Sequence, residues 1–364
     1  MAEARFAPTN APPVSIPRSD NVCTLAVVDT TCVLTVPAET LVEPQISGHE
    51  LMNFPTWAFL ISQTIDAKVP GIKVDKNLSE VLPAGGVDTN SINAAIISHH
   101  HYDHFGDPGT FPASMELLVG PGFSDAFLPG FPTNQASPAF ESDLSDRSLR
   151  ELRFAEEFCI AGYRAIDYFE DGSLYILDTP GHAIGHLSAL VRTTADSFVF
   201  LGGDICHFGG VFRPTPYVPM PEWLEPSDVG HEKIRNHPYP HSIFTASHPD
   251  QRNARIVPYY TPYCRVNGWY VDPQRALESV NQLKALDADE RILVLIAHDP
   301  AMFGEVDFFP EGDLNDWLQR GWKRALHWRF LDDLPTTTRE VRHLIDGTYM
   351  NGRRVKSLNG ENIA

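Results

Sequence analysis

The sequence has little cysteine, few cations and no long apolar run, and each shortage closes off a class of protein. Five cysteines stand at Cys23, Cys32, Cys159, Cys206 and Cys264, an odd number with no C-x-x-C spacing. A disulfide framework is therefore not expected, and a reducing compartment suits the chain. Lysine and arginine number 28 against 47 aspartates and glutamates, a formal net charge of -19. A surface of that sign repels phosphate backbones and anionic membranes, so neither nucleic acid nor membrane is expected as a partner. No run of about 18 apolar residues, the length a spanning helix needs, is present. The opening Met1-Ala2-Glu3-Ala4-Arg5 has no apolar core of a leader and runs into Pro8, Pro12, Pro13 and Pro17. It reads as a loosely held proline-rich arm over residues 1–20, with the cytoplasm as the expected location.

What is present is a globular composition, 43% hydrophobic and 21% charged over 364 residues, enough for a full core without staples. Residues 21–364 read as one α/β domain with insertions near 105–160 and 208–270. Cys23–Val28 and Thr31–Val36 are short apolar runs around Asp29-Thr30, predicting a hairpin. Further strands are expected at Trp57–Ile61, Ile92–Ser98, Met115–Val119, Tyr163–Tyr168, Ser173–Leu177, Leu187–Val191, Ser197–Leu201 and Ile292–Ala297. The rest of 105–145 reads as a long loop or lid. Leu149–Phe158 is expected to be a short helix, and Asp313–Phe330 a longer one. Another helix follows Asp272 as cap and Pro273 as first residue, with Ala276, Leu277, Val280 and Leu283 as its apolar stripe.

Four apolar strands end in a residue able to bind metal, at His99, His182, Asp204 and His298. Strands of a sheet deliver side chains to one edge, so the four can converge on a rigid scaffold. Neutral imidazoles and carboxylates suit a divalent ion such as zinc, and a carboxylate can bridge two ions. In an extended segment His99 and His101 point to one side and His100 to the other. Asp103 and His104 follow one short turn on, where they can serve a second ion. A single-ion site stays open on this reading.

Taken together, His99-x-His101-x-Asp103-His104, Thr179-Pro180-Gly181-His182-Ala183-Ile184-Gly185-His186, Gly203-Asp204 and Ala297-His298-Asp299 resemble the motifs of the metallo-β-lactamase-fold hydrolases. The resemblance runs in order over about residues 20–300. It implies a four-layer αββα sandwich with the site at one sheet edge. It also implies two ions, usually Zn2+ with Mn2+ or Fe2+ as alternatives. His99, His101 and His182 would hold the first, Asp103, His104 and His298 the second, and Asp204 would bridge them with a hydroxide. His186 would support the site without being a ligand, and Asp103 would carry a proton.

The substrate implied is a small molecule, a cyclic ester or amide attacked by the bridging hydroxide. The wording Gly202-Gly203-Asp204-Ile205-Cys206-His207-Phe208 resembles members that act as lactamases, lactonases and thioesterases. Acyl-homoserine lactonases, which the Ala297-His298-Asp299 form resembles, carry a tyrosine three residues past the bridging aspartate. Here His207 stands there, either as the donor to the carbonyl or as a turn residue without a role. Cys206 is expected to be a packed core residue. Phe208, Phe212, Tyr217, Trp223, Tyr239, Phe244, Tyr259 and Tyr260, with Phe105, Phe111, Phe123 and Phe127, either wall an apolar pocket or pack the loops down. Two rivals stay open. One is an acyl thioesterase, for which Arg147, Arg150 and Arg153 are the dense basic residues that a coenzyme would need. The other is a binding module without catalysis.

Overall fold

The computed structural model describes residues 6–57, 71–229, 237–264, 268–336, 343–350 and 352–363. The chain enters one sheet with β1 (Asp29–Pro37), β2 (Leu51–Trp57) and β3 (Gly71–Lys73). A parallel three-stranded unit follows, β4 (Ala94–Ile96), β5 (Glu116–Val119) and β6 (Leu149–Glu151). Next come β7 (Cys159–Ile160), β8 (Tyr163–Asp167), β9 (Leu174–Asp178), β10 (Leu187–Thr194) and β11 (Ser197–Leu201), each antiparallel to its neighbour. Helix α1 (Pro273–Ala288) crosses over to β12 (Ile292–Leu295), which lies parallel to β11 and closes a six-stranded sheet. The chain then returns to the first sheet with β13 (Gly347–Met350) and β14 (Arg353–Ser357), giving the order β14-β13-β3-β1-β2.

Period-two alternation drives the two sheets together. Cys32, Leu34 and Val36 of β1 turn one way and meet Tyr175 and Leu177 of β9 and Phe198 and Phe200 of β11 in one buried core. The alternate residues of β11 and β12, Val199, Leu293 and Leu295, face outward and are covered by Trp317, Trp322 and Leu326. The fold is thus the α/β sandwich expected from the sequence. Helix α1 begins as read, with the Asp272 side chain accepting from the Arg275 backbone and Pro273 in the first turn. None of the described helices is long and apolar enough to cross a membrane.

Several local expectations need correction. Cys23–Val28 forms no hairpin with β1. Its backbone is satisfied instead by the 309–315 loop and by β10, through Leu314 N to Leu25 O, Phe309 N to Val27 O and Cys23 N to Arg192 O at 2.7–2.9 Å. Leu149–Phe158 is not a helix, because β6 adds a parallel strand to β5 and Arg150 pairs with Glu116 across them at 2.9 Å. The helix expected over Asp313–Phe330 is broken by Gly321 at φ 71° into α2 (Trp317–Arg320) and α3 (Trp322–His327). Of the strand expected at Trp57–Ile61, Trp57 ends β2 and 58–61 lie outside the described residues.

Over their described residues, the two proline- and aromatic-rich insertions are packed segments. Phe105, Phe123 and Phe127 form a small core with Leu117 and Val119. Phe208, Phe212, Tyr239, Phe244, Tyr259 and Tyr260 join the main core, so the second insertion spends most of its aromatics on holding itself down. Within the arm, residues 6–20 are held. Val14 is buried, its carbonyl accepts from Arg291 at 3.0 Å, and the Pro17 carbonyl accepts from Arg192 at 2.5 Å.

One buried ion pair ties the second insertion to the end of α1. Arg213 donates to Asp287 through Nη2 at 2.5 Å and Nε at 3.0 Å, and to the His327 carbonyl at 3.2 Å. Burial alone would raise the Asp287 carboxyl, but Arg213 and His327 outweigh it and hold it well below the usual range. Arg213→Met should strand that charge and cost about 3–5 kcal/mol, read as a lower urea midpoint at pH 7. Because the folded pKa is depressed, the stabilisation is present at neutral pH and fades as pH falls below about 4. An unchanged midpoint would show that the pair contributes nothing to stability.

Candidate metal centre

The centre is built where strand ends meet. Beyond β4 the chain stays extended to His101 (φ -62°, ψ 147°) and then makes one helical turn, Tyr102–Phe105. That turn swings Asp103 and His104 back beside His99. The backbone N–H of Leu187 donates to the Ser98 carbonyl at 2.8 Å, joining the three-stranded unit to the six-stranded sheet at this edge. His182 follows β9 on a turn that needs Gly181. A Cβ there would lie 2.1 Å from the Ala276 backbone nitrogen, and φ is +129°. The turn presses against the start of α1, where Asp272 N donates to the Gly181 carbonyl at 2.9 Å. Asp204 follows β11 after Gly203 at φ +54°. His298 follows β12.

All seven residues expected as ligands are brought together. His99, His101, His182 and Asp204 form one group, Asp103, His104 and His298 another, and within each group the donor atoms lie within 4.8 Å of one another. Asp204 sits between them. Its Oδ1 is 3.1 Å from Nε2 of both His104 and His298, and its Oδ2 is 3.3 Å from His182 Nε2 and 3.6 Å from His99 Nε2. Asp103 Oδ2 lies 3.4 Å from His104 Nε2 and 3.5 Å from His298 Nε2.

The donor set fits divalent ions. His101 Nδ1 is 3.0 Å from His99 Nε2 and 2.9 Å from His182 Nε2, while His104 and His298 bring their Nε2 atoms to 3.1 Å. Protons alone satisfy such a convergence poorly, since each neutral ring carries one N–H. Four nitrogen or oxygen donors around a tetrahedral ion at about 2.0–2.1 Å stand roughly 3.3 Å apart, close to these spacings. Burial pushes His99 and His101 well below their ordinary pKa, and His182 to about 3, so these rings offer lone pairs. Burial opposes charge on His104 too, but Asp204 and Asp103 raise it to about 10, marking that position as one that favours a cation. Burial would raise Asp204, yet His104, His298 and His207 hold it well below the carboxylate range.

Supporting contacts fix which atoms face the centre. His298 Nδ1 donates to the Pro55 carbonyl at 3.0 Å, leaving Nε2 to the site. His186 Nδ1 donates to the Thr179 carbonyl at 2.9 Å, and its Nε2 accepts from the Asp204 backbone N–H at 2.9 Å. With its lone pair spent, His186 orients Asp204 from behind. His100 points away, against Phe127 at a ring distance of 4.2 Å. Asp178, also at a strand end, is drawn off by Arg164, whose Nε donates to it at 3.1 Å. Cys206 is buried in the main core.

His207 lies inside the centre, with Nε2 3.2 Å from Asp204 Oδ2 and Nδ1 3.1 Å from the Tyr270 hydroxyl. Tyr270 escaped the sequence reading because it belongs to no motif and meets His207 only through the fold. The cavity over the centre measures about 180 Å³ and is walled by Leu34, Phe54, Tyr102 and Trp269. A neighbouring cavity of about 430 Å³ shares His101 and Tyr102 with it and is lined by Phe105, Phe131, Pro138 and Phe140. Of the aromatics named from sequence as pocket walls, Phe105 reaches the second space; the other apolar walls, among them Leu34, Phe54, Trp269, Phe131 and Phe140, carried no sequence signal.

No family model matches the sequence. The chain is 37% identical over 365 residues to the γ-lactamase FDB1 of Fusarium pseudograminearum (strain CS3096), covering 91% of this chain and 87% of that one. It is 32% identical over 357 residues to the metallo-hydrolase mfmC of Annulohypoxylon moriforme, with 90% and 91% covered. It is also 34% identical over 360 residues to the cytochrome P450 monooxygenase mpaDE of Penicillium roqueforti (strain FM164), where it spans 39% of the longer protein. In fold it is similar to a quorum-quenching N-acyl homoserine lactone lactonase, with a TM-score of 0.51 and 16% identity over 80% of this chain and 99% of that one. With the His and Asp motifs of the sequence gathered at one edge of an α/β sandwich, the chain belongs to the metallo-β-lactamase-fold hydrolases.

Proposed function

We propose that the protein is a dinuclear-metal hydrolase that opens a cyclic amide or cyclic ester of a small apolar or aromatic molecule. The observation that carries this is the placement of Asp204, with one carboxylate oxygen toward each histidine group. His99, His101 and His182 would hold one ion, Asp103, His104 and His298 the other, and Asp204 would join them. When bound, two such ions, zinc with manganese or iron as alternatives, supply Lewis acidity that polarises a carbonyl and lowers the pKa of water to about 7.

The chain's own residues do the rest. Leu34, Phe54 and Trp269 give the cavity over the centre an apolar wall, and a low-dielectric wall strengthens the electrostatic contacts beside it. Asp103 lines the same cavity, which supports a role for its carboxylate in passing a proton to the leaving nitrogen or oxygen as the ring opens. His207, expected to donate to the carbonyl, has one nitrogen toward Asp204 and the other toward Tyr270, so that role requires the ring to give up a contact. The adjoining aromatic cavity supports an apolar substituent on the substrate.

The relatives' names favour lactam and lactone chemistry over an acyl thioesterase, and the surface agrees. Of the arginines considered for a coenzyme, Arg150 is paired with Glu116 and Arg147 donates to the Phe111 carbonyl, and neither borders the two cavities. Protein purified without chelator should carry two ions per chain by elemental analysis. Fewer than about one would undermine the site and leave a binding module as the reading. Asp204→Ala should lose metal and turnover together. A panel of γ-lactams, lactones and acyl thioesters should show ring opening of aromatic or apolar members; turnover of thioesters alone would replace the proposal by the thioesterase. In the same assays His207→Ala should lower turnover, and an unchanged rate would remove His207 from the mechanism.

A further inference from the structure

We propose that His207 is a positioning residue that holds the bridging carboxylate of Asp204 through an imidazole N–H, and that the Tyr270 hydroxyl sets the tautomer this needs. The inference rests on the dinuclear reading above. Asp204 faces both histidine groups, so the angle of its carboxylate decides whether each oxygen reaches its own group. His186 holds its backbone N–H at 2.9 Å, but a backbone contact leaves the side-chain torsions free to turn. A second contact, to a carboxylate oxygen, restrains them, and His207 Nε2 lies 3.2 Å from Oδ2. The His207 ring is itself fixed in place. It stacks on His298 at a centroid distance of 5.6 Å and an interplanar angle of 7°, and Phe54 packs against it at 5.7 Å.

The tautomer follows from counting buried protons. Tyr270 is buried, and among the described residues its hydroxyl meets one hydrogen-bond partner, His207 Nδ1 at 3.1 Å. A phenol O–H left without an acceptor in the interior is costly, so it donates to the Nδ1 lone pair. A neutral imidazole carries one N–H, which then lies on Nε2 and faces Asp204 Oδ2. The opposite tautomer would strand the phenol proton and turn a nitrogen lone pair toward an anionic oxygen. An N–H held against a buried carboxylate is, by contrast, a charge-assisted contact. A carboxylate oxygen has more than one lone pair, so Oδ2 can accept this N–H and still serve an ion beside His182 and His99. His207 Nε2 lies within 4.8 Å of donor atoms of Asp204 and His298, a spacing that by itself would suit a ligand. With a proton on Nε2 it has no lone pair to give there, and the same N–H is not free for a substrate carbonyl.

The test uses zinc-loaded protein, and elemental analysis first counts the ions per chain. Fewer than two refutes the dinuclear centre itself; the remaining measurements bear on His207 alone. In protein carrying 15N-labelled histidine, long-range 1H–15N spectra tell a protonated ring nitrogen from a bare or metal-bound one, and the His207 signals are those that His207→Gln removes. They should show a proton on Nε2 and a bare Nδ1. A proton on Nδ1, or a metal-bound Nε2, overturns the proposal. In graded EDTA, with circular dichroism as the check on folding, His207→Ala should lose metal at chelator concentrations about 10–100-fold lower than wild type. The amide of His207→Gln can bring an N–H to the same oxygen but is a poor zinc ligand, so it should recover most of that shift. His207→Ala at the wild-type midpoint, or His207→Gln as weak as His207→Ala, overturns the proposal. Tyr270→Phe should move the midpoint in the same direction by less, since Nε2 keeps its proton; no movement overturns the part given to Tyr270. If His207→Ala does not fold, the wild-type spectrum decides.

Discussion

The structure depends on keeping one carboxylate charged where water cannot reach it. Asp204 is buried, and a lone carboxylate there would be neutralised or expelled. It is tolerated because five imidazoles approach it and because its own backbone N–H is held by His186. Every strand end that supplies one of those rings must therefore stop at the right residue. The sheet registers, the Gly181 and Gly203 turns and the packing of the second insertion all serve that requirement. The two sheets are coupled through it as well, since His298 leaves β12 of one sheet and is oriented by Pro55 of the other.

Which parts of this were legible in the sequence has a physical logic. Strand-end ligands are readable because an apolar run and the residue after it are neighbours in the chain, so His99, His182, Asp204 and His298 announce themselves. The short turn that folds Asp103 and His104 back is equally local. The sandwich followed from the same alternation and from resemblance. Failures came where a long-range partner outcompeted local pattern. Cys23–Val28 has strand composition but gives its hydrogen bonds to a loop from the far end of the chain. Leu149–Glu151 looks helical beside the charged run that follows it, yet an exposed edge of β5 recruits it.

The walls of the site were the least legible part. Leu34 and Phe54 look like any core residues of their strands, and Trp269 and Tyr270 lie in an irregular stretch with no period to read. Conversely, Tyr259, Tyr260 and Phe244 looked available for a pocket only because loops are assumed to be thin; here the loop carries its own core. A composition rich in aromatics says how much surface a segment can bury, not which side of it faces a ligand.

Four donors of the centre lie together at His99, His101, Asp103 and His104, while His182, Asp204 and His298 reach it only by closing long loops. Closing such loops costs chain entropy that only the finished sheets offset. No short fragment of this chain can therefore assemble the whole cluster, and the segment 99–104 carries only part of it. The complete donor set exists only once both sheets are in place, so its integrity reports on the tertiary structure and not on any one segment.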